Sequence, residues 1–116
     1  MIARYTLPEM GALWSEENTF RCWLEIEIEA ARAMAKHKVI PAAAFKVIKK
    51  NARFDTQRIA TIEKEVNHDV IAFLTSVAEF VGAEAKYLHH GMTSSDVLDT
   101  ALALRMKRAG RIIDAK

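Results

Sequence analysis

Residues 68–82 have the sequence HDVIAFLTSVAEFVG and predict a helix that is buried along one face. The apolar side chains recur at the spacing of a helical stripe, which comprises Val70, Phe73, Leu74, Val77 and either Phe80 or Val81. Gly82 follows the last of them, and glycine commonly ends helices because it tolerates backbone conformations that other residues avoid. We therefore predict a helix from about His68 to Val81.

Four further helices are predicted around this segment, and no strand. They cover Glu16–Lys38, Pro41–Lys50, Thr56–Val66 and Ser95–Lys116. Ser15 and Asp55 are suited to cap two of these helices, and Pro41 fits the first position of another, where a missing N–H costs little. The opening segment, residues 1–14, contains Pro8 and Gly11 and is predicted to be irregular. The pattern indicates an all-α fold of about five helices.

The last helix has an apolar stripe but no stop signal. The stripe consists of Leu98, Leu102, Met106, Ala109 and Ile113. Ile112 and Ile113 come just before the final residues, so we expect them to be unburied. This pattern predicts that the last helix is cut short of a longer structure.

Composition restricts the class of protein. The 116 residues are 51% hydrophobic, which is enough for one core, and the net charge of +2 gives no indication of nucleic-acid binding. The single cysteine, Cys22, excludes a disulfide framework and favours a reducing cytoplasm. We find no signal peptide and no stretch long enough to span a membrane, so we expect neither nucleic acid nor membrane as a partner.

Two polar segments precede helices and are candidates for a binding site. One is Asn67-His68-Asp69, and the other is residues 89–96, HHGMTSSD. Backbone N–H groups at a helix start attract anions, and the hydroxyls of Thr93 and Ser94 add donors for a carboxylate or phosphate. Histidine can transfer protons near neutral pH. These segments predict an anion-binding site with acid–base capacity.

Simpler interpretations of the same residues stay open. Ser, Thr and Asp before a helix are ordinary caps, and His68 could make only a structural hydrogen bond. Arg4 and Tyr5 could bind a phosphate or an aromatic ring, or they could lie in a loose terminus. The adjacent His89 and His90 have no further ligand motif around them, so no metal site is predicted.

Together these segments resemble the adenylosuccinate lyases of bacteria, a family within the fumarase/aspartase superfamily. The resemblance begins at Arg4-Tyr5 and continues through residues 14–18, WSEEN, and residues 23–27, WLEIE. Residues 63–70, EKEVNHDV, are similar to the histidine segment of that family, and residues 89–96 fit its H-x-G-x-T-S-x-D segment. The order and spacing of all the segments are kept over essentially the whole chain.

The resemblance implies a reaction and a set of roles. The family cleaves adenylosuccinate to AMP and fumarate by β-elimination, cleaves the related purine intermediate SAICAR to AICAR and fumarate, and uses no cofactor. By this resemblance His68 and His89 are catalytic. The implied substrate-binding residues are Arg4, Tyr5, Asn67, His68, Asp69, Thr93 and Ser94. The residue after the first histidine is usually aromatic in these enzymes and is His90 here, which leaves open whether His89 or His90 faces the site.

The resemblance also implies that this chain is one part of a larger enzyme. We expect residues 1–110 to form a small N-terminal helical domain and residues 111–116 to begin a central helical bundle. The serine base, the later histidine and the signature lysine of the family would lie beyond residue 116. Family members are homotetramers whose active sites combine three subunits, so we expect the isolated chain to be inactive. Argininosuccinate lyase, or a helical interaction module without an active site, remain alternatives.

Overall fold

The computed structural model describes residues 2–116, and within that range it contains six α-helices and no strand. The helices are α1 (Pro8–Leu13), α2 (Glu16–Lys36), α3 (Ala42–Asn51), α4 (Thr56–Val66), α5 (Asp69–Val81) and α6 (Ser94–Asp114). Short 3-10 helices cover Ala3–Tyr5 and Ala83–Tyr87. The all-α prediction is confirmed. None of the helices in the described range is long and apolar enough to cross a bilayer.

Local capping signals set most of the helix boundaries. The Ser15 hydroxyl accepts a hydrogen bond from the Asn18 N–H at 3.2 Å, and the Asp55 carboxylate accepts one from the Arg58 N–H at 3.0 Å. Gly82 ends α5 with a φ of 85°. Ser15 and Asp55 accept free backbone N–H groups at two helix starts, and Gly82 ends a helix, as the sequence predicts.

The prediction of an irregular opening segment is wrong for most of its residues. Pro8 starts α1 at a position where its missing N–H is harmless. Gly11 is accommodated within α1 because it packs closely: a Cβ atom there would lie 2.9 Å from the Thr6 methyl. Leu13 is buried and anchors α1 to the rest of the molecule. Met1 lies outside the described residues.

An aromatic cluster joins α2 to α5 and to the segment between α3 and α4. Phe73 of α5 lies 5.9 Å from Phe20 and 5.5 Å from Trp23, measured between ring centroids. Phe54 completes the cluster at 6.1 Å from Phe73. Aliphatic side chains extend this core, among them Ile48, Ile59, Val70, Val77 and Val97. The core therefore fixes the position at which α5 begins.

The buried face of the last helix, α6, differs from the apolar stripe that its sequence predicts. Val97 and Ala101 are buried, and α6 packs against α2 and α1, whereas Leu102, Met106 and Ile113 are exposed. Ile112 is half-buried beside α1, so the expectation that both terminal isoleucines are unburied holds only for Ile113.

Candidate active site at two helix starts

The start of α5 lies against the start of α6. The Ser94 hydroxyl is 3.5 Å from His68 Nε2, although the two residues are 26 positions apart in the sequence. This distance is at the outer limit of a hydrogen bond, so it establishes proximity rather than a strong interaction. The two polar segments singled out in the sequence therefore share one surface.

Asn67 and His68 make the turn between α4 and α5. Asn67 ends α4 in the left-handed conformation, with a φ of 52°, which asparagine tolerates better than most residues. His68 then caps α5, because its Nδ1 accepts the backbone N–H of Ile71 at 3.2 Å. A neutral imidazole that accepts through Nδ1 must carry its proton on Nε2. His68 thus presents an N–H group toward Ser94.

Carboxylates occupy part of both helix starts. Asp69 accepts the backbone N–H of Val70 at 2.7 Å, and Asp96 accepts the N–H of Thr93 at 2.8 Å. The second bond is one half of a capping box, and in the other half the Thr93 side chain accepts the backbone N–H of Asp96, so the capping interpretation is correct for both residues. Ser94 is half-buried with its hydroxyl facing His68, whereas Thr93 is exposed.

His89, and not His90, is tied into the structure. Its Nδ1 is 2.6 Å from one oxygen of Glu27, and its backbone N–H donates to the other oxygen at 3.0 Å. Burial raises the pKa of Glu27, and the hydrogen bonds from His89 oppose that rise. His90 is exposed. The side chain of His89 is 20% exposed, so it is held in place without being fully buried.

Sequence reasoning missed Glu27, although the pattern of α2 contained a signal. Phe20, Trp23 and Ala31 are buried, and position 27 falls in register with them on the same helical face. A carboxylate in an otherwise apolar stripe needs a buried partner. His89 is that partner, but only the fold brings the two residues together.

Arg4 and Tyr5 lie away from the two helix starts. Both are exposed, and the Arg4 guanidinium carbon lies 4.8 Å from the centre of the Tyr5 ring. The helix that follows them, α1, runs beside the C-terminal half of α6, where Glu9 pairs with Lys116 and Arg105 lies over Trp14. Ser94 begins α6, and the 21 residues of that helix span about 30 Å. A single chain does not bring Arg4 and Tyr5 to His68.

A separate cleft of about 420 Å³ lies between α1, α2 and α6 and includes Arg21, Arg108 and Arg111. Two of these guanidinium groups are already paired, Arg21 with Glu17 and Arg108 with Glu25. Within residues 2–116 no three His, Cys, Asp or Glu side chains converge as they do around a metal ion.

Comparison with known proteins shows similarity to adenylosuccinate lyases. The chain is 50% identical over 113 residues to the adenylosuccinate lyase of Bacillus subtilis. The match covers 97% of this chain and 26% of the Bacillus subtilis protein. It is 56% identical over 106 residues to the adenylosuccinate lyase of Synechocystis, with 91% of the chain and 25% of that protein covered. The chain thus spans about a quarter of the length of these curated relatives.

The fold of this chain matches that of a solved enzyme structure. The 3-carboxy-cis,cis-muconate lactonizing enzyme of Pseudomonas putida superposes with a TM-score of 0.86 and 27% identity, over 97% of this chain and 27% of that one. A family model described as lyase matches residues 3–115, which is nearly every residue present. This chain belongs to the lyase family.

Proposed function

We propose that this chain is part of an adenylosuccinate lyase, which cleaves adenylosuccinate to AMP and fumarate and SAICAR to AICAR and fumarate. The observation that carries the proposal is the contact of His68 with Ser94, which joins two helix starts into one polar surface. The identity of about half to two adenylosuccinate lyases supports the choice of substrate.

The geometry suits the demands of a β-elimination. Negative charge develops on a carboxylate when the Cβ proton leaves, and fixed donors stabilise it. Thr93, Ser94 and the amides at the start of α6 would bind the succinyl carboxylates, since helix starts favour anions. His68 would donate its Nε2 hydrogen near the reacting centre, with Asn67 and Asp69 lining the pocket beside it. His89 would serve as a second catalytic imidazole.

The position of Arg4 and Tyr5 supports an active site assembled from several subunits. These residues lie at the far end of α6 from Ser94, so they would bind the nucleotide part of a substrate held by a different copy of the chain. We propose a cytoplasmic homotetramer that works without metal or organic cofactor. The proton-abstracting serine and the general acid would come from beyond residue 116, and the isolated chain would be inactive.

A chimeric enzyme tests this proposal. Residues 1–116 would replace the matching segment of the Bacillus subtilis adenylosuccinate lyase, and turnover of adenylosuccinate and of argininosuccinate would be followed in parallel. We expect a tetramer that consumes adenylosuccinate at a rate near that of the parent and leaves argininosuccinate intact. A correctly assembled tetramer with no turnover would contradict the proposal and favour a non-catalytic helical module. Activity on argininosuccinate alone would favour the other lyase.

A further inference from the structure

Glu27 is a buried carboxylate in a helix whose other glutamates face solvent. Its side chain is 1% exposed, whereas that of Glu25 is 45% exposed and that of Glu29 is 60% exposed. An ionisable group is costly to remove from water unless it is paired and hydrogen-bonded. The burial of Glu27 therefore calls for a specific partner.

Both oxygens of Glu27 contact the same residue, His89. One oxygen is 2.6 Å from Nδ1 and the other accepts the backbone N–H at 3.0 Å, across a separation of 62 residues. His89 has a φ of 60°, a left-handed conformation that non-glycine residues rarely adopt unless their surroundings hold it. The two hydrogen bonds hold this conformation and fix the direction of the ring.

We propose that Glu27 is the positioning residue of His89, and that its carboxylate keeps the proton of the neutral imidazole on Nδ1. The Nε2 atom is then left as a hydrogen-bond acceptor for substrate. His68 has the opposite tautomer, because its Nδ1 accepts from the Ile71 N–H. The two imidazoles therefore offer complementary groups, a donor at His68 and an acceptor at His89. The catalytic part of this inference rests on the proposed function, whereas the tautomer does not.

The isosteric variant Glu27→Gln makes a sharp test of the tautomer. The backbone N–H of His89 is always a donor, so the glutamine oxygen must face it. The glutamine NH₂ group must then face Nδ1 and donate to it, which moves the imidazole proton to Nε2. Glu29→Gln is the matched control, because Glu29 is exposed on the same helix and contacts Arg32 instead.

Nitrogen-15 NMR of the 116-residue chain, at a pH where the ring is neutral, distinguishes the two tautomers. We expect His89 to be protonated on Nδ1 in the unaltered chain and in Glu29→Gln, and on Nε2 in Glu27→Gln. Protonation on Nε2 in the unaltered chain, or an unchanged tautomer in Glu27→Gln, would overturn the inference. This readout requires no lyase activity, so it stands apart from failure of the proposed function.

Kinetics of the chimera test whether Glu27 acts through His89. We expect Glu27→Gln to lower kcat about 10- to 100-fold, as loss of an orienting partner does, with KM little changed. Combining it with His89→Ala should lower kcat no further than His89→Ala alone, because residues that act as a unit are not additive. Independent losses that multiply in the double variant would overturn the positioning role.

Discussion

His68 has a different neighbour at each of its two ring nitrogens. Nδ1 caps α5 by accepting the Ile71 N–H, and Nε2 lies 3.5 Å from Ser94. The sequence left open whether this histidine is a cap or a catalytic group, and the structure shows a cap whose second nitrogen faces the other helix start. The cap could be predicted from its position before an apolar stripe, whereas the neighbour of Nε2 depends on tertiary packing.

Substitutions at His68 should isolate its contribution as the cap of α5. Asparagine is a good N-cap and alanine is a poor one, so we expect His68→Ala to lower the free energy of unfolding by about 1 kcal/mol and His68→Asn to lower it much less. Urea unfolding of both variants, followed by circular dichroism, gives the comparison. Equal losses in the two variants would contradict the prediction that an N-cap at position 68 accounts for the difference.

The buried Glu27 should make stability depend on pH. Burial raises its pKa above the ordinary value of 4.5, so the folded chain holds a proton that the unfolded chain releases. The stability that this bound proton contributes is fully present below pH 4.5, and it is lost as the pH rises through the pKa of Glu27 in the folded chain. We therefore expect Glu27→Gln to gain stability relative to the unaltered chain as pH increases upward from 4.5. Urea unfolding across that range would contradict us if the difference stayed constant.

At the scale of helices, the predictable parts are those with a local cause. Ser15, Asp55 and Gly82 determine boundaries through neighbouring backbone groups, and these boundaries are confirmed. The sequence predicts an irregular segment over residues 1–14, because Pro8 and Gly11 often break helices. Contacts of α1 with α6 override that tendency, and periodicity alone cannot reveal such contacts.

The position of α5 should depend on its aromatic anchor. Phe73 is fully buried against Phe20, Trp23 and Phe54, so we expect Phe73→Ala to lower the free energy of unfolding by about 3–5 kcal/mol. Phe80 lies on the same helix but is 46% exposed, and Phe80→Ala serves as the matched control with a much smaller loss. Comparable losses in both variants, measured by chemical denaturation, would contradict this view of the core.

At the scale of the whole molecule, the chain holds two separate groups of candidate residues. His68 and Ser94 meet at the start of α6, whereas Arg4 and Tyr5 precede α1, which packs beside the C-terminal half of α6. The sequence could predict both groups, since each lies in a recognisable motif. It could not predict their separation, because the spacing between motifs carries no information about which ends of the helices meet. The exposed Leu102, Met106 and Ile113 of α6 offer an apolar surface for further packing.

This separation predicts complementation between two defective chimeras. Arg4→Ala and His68→Asn would each inactivate a different part of an active site shared between subunits. Dissociating the two proteins, mixing them and reassembling the tetramers should restore part of the activity, because some sites then receive both intact groups. Mixtures that stay as inactive as either parent would place Arg4 and His68 in the same site of one subunit.

The isolated chain should bind weakly and turn over nothing. It lacks the residues that we assign to proton abstraction and to protonation of the leaving group, so adenylosuccinate should be stable in its presence. Incubation of the purified 116-residue chain with adenylosuccinate, followed by chromatography, measures this directly. Formation of AMP above the buffer control would show that the chemistry resides within these residues.

The central claim is that the surface at His68 and Ser94 belongs to a lyase active site. The most direct measurement is the kcat for adenylosuccinate of the chimera carrying His68→Asn, compared with the chimera carrying His37→Asn. His37 is exposed at the end of α2, and both substitutions preserve local backbone requirements. We predict a loss of at least about 100-fold for His68→Asn, the size expected when a donor that stabilises developing charge is removed, and no loss for His37→Asn. Full activity in a well-folded His68→Asn chimera would contradict the account.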